Sequence, residues 1–230
     1  MHEFRDATRL ASWTQLILIV FALFMFWAAF SDMLQLRLLY TFDNGAFKTI
    51  GALNQAVAAN DARQHVTGPL RLAAYALSGI LILVWTYRAN ANARGLGAAT
   101  MRITPAWSVG WYFVPIANLV KPYDAMREIW RASAHPQGWS QETDPLSLRW
   151  WWVFLLLAIG LGVMALLLGM RAKGIETVID ATWLMLVSDL AGILSAGILL
   201  GIIAQVQQLQ QAAFLASAPP ALPGTEAGGG

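Results

Sequence analysis

Of 230 residues, 57% are hydrophobic and only 12% are charged, where an ordinary globular domain carries about a quarter charged residues; with a mean hydropathy of +0.53, the chain does not read as a water-soluble domain. There is no cysteine, which excludes disulfides, thiolate metal sites and cysteine nucleophiles. The net charge of +2 comes from scattered basic residues rather than a basic face, so nucleic acid is not an expected partner, and eleven tryptophans suit a chain that meets a membrane interface.

The first apolar segment runs from about Thr14 to Leu39 and is long enough for a bilayer core of roughly 30 Å at about 1.5 Å per residue. Arg5 and Arg9 before it resemble the start of a signal peptide. The apolar run is too long for one and no A-x-A site follows, so it reads as an uncleaved first helix. After Tyr40, DNGAF predicts a turn with Asp43 or Asn44 as the N-cap of a short amphipathic helix from Ala46 to about Gln64, ended by Gly68-Pro69.

The second span covers about 70–88, closed by Trp85, Tyr87 and Arg88, with Arg71 in its first turn and able to snorkel outward. It continues as a helix to Arg94 and then loops through Gly95 and Gly97. The link ASAHPQGWSQETDP reads as a loop. The third span covers about 149–170 and opens on Trp150, Trp151 and Trp152. Three adjacent tryptophans point around a helix in different directions, which an interfacial belt explains. The fourth span covers about 183–205, continues into QVQQLQQ, and leads to a tail, 217–230, expected to be disordered. Residues 1–216 thus form a single membrane domain, all-α with four transmembrane helices.

Counting Lys and Arg with the N-terminus inside places nine of the fifteen on the cytoplasmic side, so the positive-inside rule favours N-in and C-in. The amphipathic helix after Tyr40 then lies on the periplasmic side. Small residues mark the expected packing faces: Ser188, Gly192 and Ala196, the Gly197/Gly201 pair, Ala158 with Gly162, Ala165 with Gly169, and Ala74 with Ser78.

Asp189 is the carboxylate that falls inside a predicted span. Burying it charged costs several kcal/mol unless it is paired or wet, and Arg71 and Asp32 lie at similar depth. It reads as an ion or proton site or, preferably, as half of a structural Asp189–Arg71 pair. His2, His65 and His135 are isolated in the sequence and supply no metal-ligand spacing. No nucleotide or hydrolase motif occurs, so the expectation is a non-enzymatic protein without cofactor or metal.

The stretch Thr104–Arg131 fits no single helix. It is apolar and aromatic from Pro105 to Val120, and prolines 105, 115 and 122 interrupt it. Non-helical backbone at membrane depth must be buried in protein or line a wet cavity, so Trp107–Val114 is a re-entrant half-helix or lies flat at the interface. Pro115 breaks it, and Asn118 is placed to satisfy the freed backbone groups. Pro122 and Asp124 begin a cytoplasmic amphipathic helix. There Tyr123, Met126, Trp130 and Ser133 share one face, and Arg127, Glu128 and Arg131 the other, with a Glu128–Arg131 pair.

The run RANANARGLG followed by MRITPAWSVGWYFVPIANLVKPYDAMREIWRAS resembles a bacterial membrane family catalogued as domain of unknown function 4328, over about Leu70 to Gln211. The resemblance implies a multi-helix protein of the bacterial inner membrane and supplies no activity. The residues singled out are Trp107, Trp111, Pro115, Asn118, Lys121, Pro122, Glu128 and Trp130, with the polar pair Asp189 and Arg71. The leading expectation is an accessory or scaffolding subunit that binds membrane lipid, a partner protein or a second copy through 104–133. The alternative is a small channel or transporter that uses the broken helix at Pro115–Asn118 together with Asp189.

Overall fold

The computed structural model describes residues 3–217; His2 and residues 218–230 of the expected tail lie outside them. The described chain is helical, with no strand among the described residues: α1 (Thr8–Asp43), α2 (Ile50–Gly95), α3 (Pro105–Gly110), α4 (Lys121–Ala134), α5 (Leu146–Met170) and α6 (Ile175–Ser217). Helices α1, α2, α5 and α6 are each long and apolar enough to cross a membrane. They alternate in direction. Both described chain ends, together with α3 and α4, therefore gather at one end of the bundle, called the near end below, where Phe4 stacks on Phe214 at 4.3 Å.

Helix α6 is the central element, more than half buried over its apolar window and flanked by α1 and α5, while α2 packs mainly on α1. Without a hydrophobic drive in lipid, close packing of small residues holds such helices. Ser188, Gly192 and Ala196 form the buried face of α6, and the Ser188 hydroxyl donates to Ala158 O on α5 at 2.7 Å. A Cβ on Gly162 would lie 3.0 Å from Ser188 Oγ, so a larger residue there would push against the hydroxyl that makes this bond. The Gly197/Gly201 pair does not pack internally: both face outward with open space where a Cβ would stand.

Three boundaries differ from the sequence expectation. Asp43 ends α1 rather than capping the next helix; Asn44 follows as its C-cap and Gly45 takes φ +63°, a left-handed helix stop that DNG supplies as readily as a start. The N-cap of α2 is Thr49, whose hydroxyl accepts from Ala52 N at 3.1 Å. Gly68-Pro69 does not end a helix either: the expected amphipathic helix and the second span are one element of 46 residues, about 70 Å long. Pro69 lines a cavity with Asp61, Gln64 and His65, and the helix runs on through it although proline has no N–H to give the preceding turn.

The tryptophan triplet is also divided. Trp150 is exposed, whereas Trp151 and Trp152 are buried core residues, packed ring to ring at 5.3 Å. They are held by the near-end segment rather than by a lipid interface.

Candidate functional site

The near end is built on hydrogen bonds from the RANANAR run at the end of α2. Asn90 Nδ2 donates to Ile103 O at 3.0 Å, and the Arg94 guanidinium donates to Met101 O at 2.7 Å, to Ile103 O at 3.0 Å and to Asn90 Oδ1 at 3.2 Å. From the other side, Glu128 Oε2 on α4 accepts from Ile103 N at 2.9 Å. Asn92 holds the segment before α1, accepting from Arg5 N at 3.1 Å and donating to Arg5 O at 2.9 Å. Gln210 Nε2 ties α6 to Ala89 O and Ser133 Oγ. These groups are multivalent donors and acceptors set in a buried, mostly apolar surround, the condition under which such bonds matter most. Asn90, Asn92 and Arg94 were not singled out from the sequence, although two asparagines at i, i+2 in an alanine-rich helix end are a readable signal.

This frame presents Thr104–Val120. Thr104 caps α3, its hydroxyl accepting from Trp107 N at 3.2 Å, with Pro105 at the helix start, as suits a proline. Trp107 and Trp111 lie 4.5 Å apart, tilted by 32°. The Trp107 ring covers Gly110 so closely that a Cβ there would sit 3.2 Å from Cε3. After a 3-10 turn at Trp111–Phe113, Pro115 breaks the helix, and Ile116 takes φ 66° and ψ −50°, with Ala117 N donating to Pro115 O at 2.7 Å. That is a three-residue γ-turn in the left-handed region, strained for a β-branched residue. Ile116 forms its tip and is 83% exposed.

The backbone freed by the break is satisfied differently from the expectation for Asn118. Asn118 supplies its own N–H to Val114 O, and Trp152 Nε1 donates to Leu119 O at 2.9 Å. Pro122 is buried at the start of α4. Lys121 is exposed and pairs with Asp124 at 3.4 Å. Trp130 is partly buried, and its Nε1 is enclosed without a partner. The expected Glu128–Arg131 pair is absent, because Glu128 is committed to Ile103; Arg127 and Arg131 both hold Asp144 instead, which closes the loop after α4. The hydrogen bond that Arg127 donates to the Asp144 carboxylate pushes its pKa above the ordinary value.

Because α2 packs on α1 and not on α5, a cleft remains between α2 and α5. Its floor is formed by Phe21 on α1 and by Ser195 and Leu199 on α6. Its walls are Ser78, Gly79 and Leu83 on α2 and Trp151, Leu155 and Ile159 on α5. The cavity measures about 290 Å³, is almost wholly apolar, and is closed at its near end by Tyr112 and Phe113. In two of the lining residues a donor is enclosed in protein without an acceptor: the Tyr112 hydroxyl and Trp151 Nε1. Burial pushes the Tyr112 pKa up, so the phenol keeps its proton and remains a donor.

The other half of the bundle holds a charged triad. Arg71 Nη2 lies 2.8 Å from Asp189 Oδ2 and 2.9 Å from Asp32 Oδ2. Arg71 therefore turns inward between α1 and α6 and does not snorkel. Both carboxylates are buried, and a cavity of about 380 Å³ lined by Asp32, Gln35, Gln64, Arg71 and Thr182 opens beside them. Gln35 Nε2 donates to Thr182 Oγ1 at 3.0 Å. The structure does not bring Asn118 and Asp189 together: neither this cavity nor the apolar cleft is lined by Asn118.

No curated protein and no solved structure matches the chain. A family model described as a domain of unknown function, DUF4328, matches residues 49–208, beginning at the cap of α2 rather than at Leu70. The match takes in the RANANAR frame, the broken aromatic segment, the cleft walls on α2 and α5, and Arg71 with Asp189. The chain belongs to the DUF4328 family.

Proposed function

We propose that this chain is a non-enzymatic, multi-pass protein of the bacterial cytoplasmic membrane that binds a membrane lipid, with an acyl chain in the α2–α5 cleft and the segment Thr104–Val120 as its cytoplasmic lid. It acts as an accessory subunit that holds or presents that lipid. The observation that carries this reading is the cleft itself, an apolar cavity within the apolar span of the bundle, open between two helices and stopped at one end by Tyr112 and Phe113. A ligand site is concave and mostly apolar, with a few placed polar groups. Ser78, Tyr112 and Ser195 are among the polar side chains of its lining.

Phe113, Ile116, Leu119 and Val120 are all exposed on this lid, where an interfacial segment meets headgroups and upper acyl chains. Lys121 and the basic residues of the near end suit an N-in, C-in orientation. The lining also says how to test the site. A Cβ on Gly79 meets nothing within 4 Å, so Gly79→Phe fills the cleft without disturbing the packing. The full-length protein is reconstituted with a phospholipid carrying a photoreactive acyl chain, and cross-linked peptides are mapped. Cross-links are expected to concentrate on Leu83, Phe113 and Ile159 and to fall several-fold in Gly79→Phe. Labelling spread evenly over the exposed apolar faces of α1, α2 and α5 refutes the reading.

A further inference from the structure

We propose that the Asp32–Arg71–Asp189 triad is a proton-binding site: it takes one proton, on Asp189, from the polar cavity at the end of the bundle away from α3 and α4. The site is separate from the lipid cleft and does not depend on it. Two carboxylates share one guanidinium through a single nitrogen, which leaves one negative charge without an ion-pair partner of its own. An uncompensated charge in such a place is expensive, and binding one proton removes it.

The geometry points to the carboxyl that takes it. Asp189 is 0% exposed, and its Oδ1 has no hydrogen-bond partner. The donors that would hold it as a carboxylate are therefore missing on that side. Asp32 is better supplied: it lines the cavity, and Arg63 lies on its outer side, donating to the neighbouring Ser31 hydroxyl at 2.9 Å. The groups facing the triad are Asp32, Gln35 and Ser31 on α1, Arg63, Gln64, Arg71 and Tyr75 on α2, and Thr182 and Ser188 on α6. Helix α5 contributes none that titrates, since its sole charged residue is Arg149 at the opposite end.

A metal cation fits less well. It requires several oxygen ligands at once, whereas the described residues contain no group of three acidic or histidine side chains able to hold a metal. The cavity reaches Asp32 and Arg71, and the Arg71 guanidinium spans from there to the buried Asp189, whose neighbour Ser188 meets Ala158 near the middle of α5.

The full-length protein in lipid nanodiscs is tested by infrared difference spectroscopy while pH is cycled through the neutral range. The expected result is the carbonyl stretch of a protonated carboxyl that appears and disappears reversibly and shifts with 13C-aspartate labelling. The band is lost in Asp189→Asn and kept in Asp32→Asn. Both variants leave one carboxylate against one guanidinium, so folded protein is expected from each, checked by helical circular dichroism. The wild-type spectrum alone is decisive if a variant fails to fold: absence of an aspartate-derived band while the protein remains folded overturns the proposal. A band that persists in folded Asp189→Asn, or one abolished by sodium at constant pH, overturns it as well.

Discussion

Glu128 and Arg94 grip the same short run of backbone from opposite sides, and this shows how the near end is held. Ile103 offers one N–H and one C=O; the N–H goes to Glu128 and the C=O is shared by Asn90 and Arg94. A buried backbone donor left without its acceptor costs about 1–3 kcal/mol, so Glu128→Ala is expected to lower stability by about that amount and Glu128→Gln by less. Thermal unfolding in detergent measures the difference. The same residues explain why Thr104–Val120 tolerates a strained γ-turn at Ile116: strain of this kind persists only where the surroundings over-determine the backbone. Here the frame before it, and Trp152 on Leu119 O after it, do so.

At the scale of the helix, the pattern of small residues has two meanings that the structure separates. A Cβ on Gly192 would stand 3.3 Å from Tyr75 Oη and 3.8 Å from Phe21 Cζ, whereas one on Gly197 meets open space. Gly192→Leu is therefore expected to displace α1 or α2 and lose folded protein, at a cost of about 1–3 kcal/mol from overpacking. Gly197→Leu is expected to leave the monomer's melting temperature unchanged. Equal effects from the two would show that the Gly197 face packs as tightly as the Gly192 face. Helix α5 obeys the same rule: Trp150 is exposed while Trp151 and Trp152 are buried, because successive residues are about 100° apart around the axis and the lid covers only part of it.

Over the whole bundle, two features join helices that are distant in sequence. The aromatic cluster of Tyr112, Tyr123 and Trp152 joins the lid to α5, and the triad joins α1, α2 and α6. Arg71→Met removes the cation that is ion-paired with both buried carboxylates. Breaking a buried ionic group by removing one partner costs about 3–5 kcal/mol, so this variant is expected to give little folded protein. Adding Asp189→Asn to it should recover part of the loss, because one buried charge is removed with it. The readout is the yield of monodisperse protein by size-exclusion chromatography; no recovery in the double variant would argue against an electrostatic origin.

The amino-acid sequence by itself determined the helical class, the four apolar helices and the family, because hydropathy over some twenty residues and a dense aromatic-proline motif are local properties. It also placed Asp189 and Arg71 at comparable depth, since helical rise is uniform. Tertiary structure alone decided what those residues face. Arg71 turned inward because a second carboxylate, Asp32, waits on α1, and Trp152 Nε1 rather than Asn118 satisfies Leu119 O because the lid folds over α5. The stop at DNG and the passage through Pro69 differ from the sequence expectation for the same reason: a local signal marks where a helix can end, while tertiary packing decides whether it does. The cleft between α2 and α5 has no signature in the sequence at all. It exists because α2 packs on α1, and only the assembled bundle shows which helix pair is left apart.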